Sequence, residues 1–199
     1  MAYINSSTHD HFVELYIEAL VEKTVDEIFD PAQRKAAIDS VLGAEGEETH
    51  ETAGFTGMKV PALTEVTVNA TPGLYRWKQL DELSEFVITT ASTNSLGMSL
   101  VVDPETFFGT GTDPLTDPED IKTAGIFQTT NNKHLCAFRL YWSGSEPDVG
   151  NAYFVEGVGY LAGLAPTTNP DAPVWVSPVT IEVAGDYTTG AVVPAVGGG

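Results

Sequence analysis

His9 and His11 are separated by one residue, close enough to place two imidazoles near a metal ion. A zinc site needs further ligands held in place. None is fixed near the Ser/Thr-rich segment MAYINSSTHDH, so solvent exposure is the simpler reading. His50 sits in an acidic stretch without a recognisable partner. His134 and Cys136 are two residues apart in HLCAFRLYW, and on a strand they would share a face. A Cys–His nucleophile also needs a group that orients the imidazole. None accompanies the pair, and Cys136 reads as a small buried side chain. Asp117, Glu119 and Asp120 cluster in TDPEDIK, where negative charge at a helix start accounts for them. Asp103-Pro104-Glu105 and Asp113-Pro114 read as turns, and no EF-hand order is present. Gly157-x-Gly159-x-x-x-Gly163 has the wrong spacing for a dinucleotide fingerprint and lies in a β-rich run. Glycines there bend a strand or admit a neighbouring backbone. No catalytic residue, metal site or cofactor is therefore expected, and the chain is not read as an enzyme.

The bulk properties narrow the partners. The chain has 199 residues, 28 acidic against 9 basic, giving a formal charge of −19. Duplex binding requires Lys and Arg to displace counterions from phosphates. Here no basic residue follows Arg139, so a grip on nucleic acid is not expected. A single cysteine excludes an intrachain disulfide framework. No apolar run approaches the ~20 residues of a membrane span, and the N-terminus lacks the basic-then-apolar order of a signal peptide.

The elements follow from periodicity and turn chemistry. In HFVELYIEALVEKTVDEIF, the residues Val13, Ile17, Leu20, Val21, Ile28 and Phe29 recur at three-to-four spacing, with Glu14, Glu18 and Glu22 opposite. This predicts a helix over about 11–29. Asp30-Pro31 opens a second helix over 31–42, closed by Gly43. From residue 58 onward the chain breaks into short β-branched and aromatic runs: VTVNA, EFVITTAS, MSLVV, CAFRLYW, AYFVEGVGYLAG, VWVSP and VTIEVAGDY. Thr71-Pro72-Gly73 reads as a turn, 102–120 as a surface loop, and PEDIKTAGIF as a short helix capped by Asp117. The expected fold is mainly β (α+β): an antiparallel β-sandwich or barrel with one packed short helix, preceded by an N-terminal helical segment. Its expected parts are a helical appendage and acidic linker (1–57), a β-sandwich (58–190) and a flexible tail (191–199).

The segment WSGSEPDVGNAYFVEGVGYLAGLAPTTNPDAPVWVSPVTIEVAGDYT carries a Gly-rich strand and then a loop bearing proline and aspartate. Its final strand ends at Val183-Ala184-Gly185. This order resembles the C-terminal half of the tail tube (major tail) proteins of long-tailed bacterial and archaeal viruses. The helix PEDIKTAGIF and the strand HLCAFRLYW occupy fitting places, so the resemblance spans about residues 65–190. It implies a viral structural protein, assembled in the host cytoplasm and resident in the virion tail. Its partners would be copies of itself in stacked, typically hexameric rings, together with other tail or head proteins. DNA would be non-specific passing cargo through a continuous β-barrel, with no membrane involved. Six copies at −19 each carry −114, a charge that repels phosphates. Glu156 and Glu182, each a polar residue within an apolar strand, are the candidates for the lumen. Trp142, Tyr153, Phe154 and Trp175 are the candidates for subunit-interface or core packing. The helical first quarter departs from the family pattern and keeps open a capsid decoration or head–tail joining protein, a virion-bound binding module.

Overall fold

The computed structural model describes residues 12–21, 23–44, 57–78, 85–110, 120–143, 153–169 and 172–192. The first half contains β1 (Phe12–Leu20), a 3-10 turn (Val25–Ile28), α1 (Pro31–Leu42), β2 (Met58–Lys59), β3 (Leu63–Trp77) and β4 (Phe86–Val101). The second half contains α2 (Pro104–Phe108), α3 (Ile121–Asn131), β5 (Leu135–Ser143), β6 (Tyr153–Ala162), β7 (Thr167–Asn169), β8 (Ala172–Val183) and β9 (Thr188–Ala191). The fold is mainly β, as expected. The strands form one antiparallel sheet in the order β2-β1-β5-β6-β8-β4-β3, with β7 added to β8 and β9 to β6.

Two cores lie on the two faces of this sheet. The first gathers Leu15 and Ile17 of β1, Phe138 and Leu140 of β5, Leu96, Met98 and Leu100 of β4, and Val179 and Ile181 of β8. Strands far apart in sheet order thus share one core, because the sheet curls around it. Phe107 of α2 and Ile121 and Ile126 of α3 belong to the same core. On the other face α1 packs Ala37, Ile38 and Leu42 against Tyr16, Leu20, Ala137, Tyr141, Phe154 and Val158. Asp30 caps α1 by accepting from the N–H groups of Ala32 and Gln33, Pro31 occupies the first turn, and Gly43 closes it at φ 69°.

The helix expected over 11–29 is overturned. Residues 12–20 are a strand paired along its length with β5, from Phe12 opposite Ser143 to Leu20 opposite Leu135. Val13, Leu15, Ile17 and Ala19 alternate with Glu14, Tyr16 and Glu18, the period-two signal of a strand, while Glu14, Glu18 and Glu22 also fit the charged stripe of a helix. Glu14 and Glu18 are buried rather than solvated. Glu14 accepts from the Tyr16 hydroxyl and pairs with Lys59. Glu18 accepts the Ile121 N–H at the start of α3, 2.8 Å away. Two further corrections concern loops. Thr71-Pro72-Gly73 does not reverse the chain; it is an irregularity within β3, where the register with β4 shifts. The stretch 102–120, read as loop, includes α2, capped by Asp103. Asp120 rather than Asp117 caps α3; Asp117 lies outside the described residues.

Glycines mark close approaches. Gly109 and Gly125 have φ of 85° and 77°, and a Cβ on Gly125 would come within 2.3 Å of the Gly109 nitrogen. A Cβ on Gly159 would come within 2.3 Å of the Glu182 carbonyl on β8. This is the admission of a neighbouring backbone that the glycine spacing suggested. Gly159→Ala is expected to destabilise the protein by roughly 1–3 kcal/mol through overpacking, read from the shift of the urea midpoint. An unchanged midpoint would contradict the packing described.

Candidate assembly surface

The features with consequences for function lie at the sheet's free margin and under α1. β3 is an edge strand of 15 residues, with β4 on one side and no strand on the other among the described residues. Near the body its inward side chains, Val66 and Val68, pack against the first core. Past the irregularity at Pro72, β3 and β4 leave the body as a two-stranded arm. Leu74, Tyr75, Trp77, Phe86, Val87 and Ile88 on this arm are 38–56% exposed. The register sets Tyr75 opposite Ile88 and Trp77 opposite Phe86, with Arg76 opposite Val87 between them. Side chains alternate across the ribbon, so Tyr75, Trp77, Phe86 and Ile88 share one apolar face, while the other mixes Leu74 and Val87 with Arg76 and Thr89. The Trp77 and Phe86 rings stack with centroids 5.0 Å apart. A two-stranded ribbon is marginal on its own, and an exposed apolar edge is a template for pairing with another chain.

The outward face of β3, β4 and β8 has a different character. Across it run Glu65, Thr67 and Asn69, then Ser99, Gly97 and Ser95, then Pro178, Thr180 and Glu182 in register. Glu182 is exposed. This face carries two glutamates and neither lysine nor arginine.

Glu156 does not join it. It is 0% exposed, directly opposite Arg139 on β5 and beneath α1. Arg139 Nε donates to Glu156 Oε2 at 2.9 Å, and Arg139 Nη2 lies 2.8 Å from both Glu156 Oε2 and Asp39 Oδ1. Its Nη1 donates to the Gly43 carbonyl at 3.0 Å, satisfying the C-terminal end of α1. Lys35 of α1 completes the cluster, 2.9 Å from Asp39 and 3.9 Å from Glu156. Burial alone would lower the Arg139 pKa; Tyr141 and the Glu156 carboxylate outweigh it and hold the guanidinium above its ordinary value. The carboxylate expected in the lumen is therefore half of a buried ion pair that fastens α1 to the sheet. Sequence reasoning passed over Arg139, although a lone cation in CAFRLYW and a lone anion in AYFVEGVGY are the signal of a cross-strand pair.

The four aromatic candidates divide. Phe154 is buried in the second core, 5.9 Å beneath the Arg139 guanidinium. Trp142 is half-buried against the first core. Tyr153 and Trp175 are 68% and 46% exposed. His9, His11 and His50 lie outside the described residues. Cys136 is fully buried in the first core, and burial, with Glu18 nearby, pushes its thiol pKa well up. The nucleophile is the thiolate. Native protein is therefore expected to leave Cys136 unlabelled by a thiol reagent that reacts at once after unfolding. Prompt native labelling would contradict its place in the core.

No family model and no curated protein matches the chain. Among solved structures, a chain of the virion of a native gene transfer agent (GTA) particle is similar over 68% of this chain and 89% of its own, with 11% identity and a TM-score of 0.47.

Proposed function

We propose that this protein is a virion structural subunit that assembles with copies of itself into stacked rings, forming a tail tube through which DNA passes. The observation that carries the reading is the arm of β3 and β4, whose apolar face of Tyr75, Trp77, Phe86 and Ile88 is left uncovered by a single copy. A patch of this size on a soluble chain marks an interaction surface. The open edge of β3 supports it, since closed rings satisfy sheet edges between subunits.

The polar face of β3, β4 and β8 is the proposed bore lining, with Glu182 and Glu65 as its charges. It offers phosphates no counterion-releasing partner, so DNA slides without being held. The sequence resemblance to tail tube proteins supplies the ring and the virion setting, and other tail or head proteins would meet the ends of the tube. Tyr153 and Trp175 are the remaining aromatic candidates for contacts between subunits.

Negative-stain electron microscopy of the purified protein across a concentration series tests the proposal. Rings or tubes with a central channel are expected. A persistent monomer, or a compact trimer that needs a capsid, would contradict it and favour the decoration or joining role.

A further inference from the structure

A cleft of about 430 Å³ opens between the 3-10 turn and the end of β8, lined by Val25, Ile28, Phe29, Pro31, Arg34 and Gly185, among others. Phe29 at its rim is 80% exposed, the most exposed large apolar side chain among the described residues. The Arg34 guanidinium is occupied within the fold. It donates to the Asp186, Phe29 and Ile28 carbonyls at 2.9, 3.3 and 3.4 Å, which fixes the cleft walls. We infer that this cleft receives the arm of a second copy, with Trp77 and Phe86 seated against Phe29. The inference rests on the assembly proposed above and names the surface that accepts the arm.

Three observations select a second copy as occupant. The first is charge. Copies at −19 repel one another, so they can meet only where charge is low. Residues 63–101 hold Glu65, Asp81, Glu82 and Glu85 against Arg76 and Lys78, a net charge of −2 and a small part of the chain's −19. The charged side chains lining the cleft are Arg34 and Asp186; Arg34 donates to the Asp186 backbone carbonyl, and the Asp186 carboxylate accepts from Asn94 Nδ2 at 3.5 Å.

The second is area. Half-exposure of six large side chains, at ~150–250 Å² for each aromatic, leaves on the order of 500 Å² on the arm. A stable interface needs ~800 Å² per partner. Tip-to-tip contact falls short. A head-to-tail arrangement, in which each copy gives an arm and receives one, uses arm and cleft together and propagates into a ring.

The third is position. Asn94 on β4, where the arm leaves the body, donates from Nδ2 to the Gly185 carbonyl at 2.9 Å. Gly185 lines the cleft, so the cleft and the arm's root adjoin. An incoming arm would extend the apolar surface that the outgoing arm begins.

The test uses engineered thiols, which the buried native Cys136 does not complicate. Lys78→Cys sits beside the arm's tip, Val25→Cys on the cleft rim, and Glu105→Cys on α2 across the sheet as control. In assembled full-length protein, a short bis-maleimide should link 78 to 25 between copies at least fivefold more than 78 to 105. Phe29→Ser should weaken association at least tenfold without changing the circular dichroism spectrum or melting temperature. Assembly that proceeds without a 78–25 link, or undiminished by Phe29→Ser, would overturn this inference and leave the assembly proposal standing. A chain that stays single at every concentration would overturn both.

Discussion

Replacing Trp77 and Phe86 together with serine is expected to abolish assembly while leaving the body folded. Both rings lie past the irregularity at Pro72, where β3 and β4 contribute to neither core. Their loss removes a stacked pair that only the ribbon itself supports in a single copy. At an interface, each buried aromatic anchor contributes about 2–4 kcal/mol. Two of them lost from every contact should weaken association by at least a few hundredfold, and the effect multiplies around a ring. Sedimentation velocity should show a single-copy species at concentrations where the parent protein forms rings. Its melting temperature should fall by no more than a few degrees. A variant that still assembles would remove the arm from the account; one that unfolds would show that the arm belongs to the body's core.

The second large effect is on stability. Arg139→Met is expected to cost about 3–5 kcal/mol, because it strands the Glu156 carboxylate in a fully buried position. Lys35, at 3.9 Å and on the cluster's exposed side, is a poor substitute. The carbonyls of Leu42 and Gly43 lose their donor as well, so α1 loosens at the end that holds it to β5. For a chain of this length each kcal/mol lowers the melting temperature by ~2–4 °C, which predicts a fall of roughly 10 °C. The double variant Arg139→Met/Glu156→Met removes both charges and should recover most of the loss. A single variant within 1 kcal/mol of the parent, or a double variant no better than the single, would contradict the clamp.

The parts legible in the sequence are those whose local chemistry agrees with their surroundings. α1 announces itself by Asp30-Pro31 and Gly43. β5, β6 and β8 do so by β-branched and aromatic runs between turn residues. β1 carries two competing signals: Val13, Leu15, Ile17 and Ala19 alternate with Glu14, Tyr16 and Glu18 as on a strand, while Glu14, Glu18 and Glu22 imitate the charged stripe of a surface helix. The arm was hidden for a different reason. Thr71-Pro72-Gly73 has turn chemistry, yet the strand runs through it, because an irregularity within a ribbon uses the same residue types as a reversal. Glu156 is legible as unusual within an apolar strand, but its own strand does not say whether it meets water or a partner. Register decides whether such a residue meets water or a partner, and register between β5 and β6 is a long-range property. Glu182, with the same sequence signature, is exposed.

Amide hydrogen exchange, followed by mass spectrometry on separated single-copy and assembled fractions, tests the central claim most directly. Burial of the arm and of the β3 edge between copies predicts that amides of 63–77 and 86–93 exchange at least tenfold more slowly in the assembled fraction, while those of β5 and β6 are unchanged. Equal exchange of both segments in the two fractions, or protection confined to other strands, would contradict it.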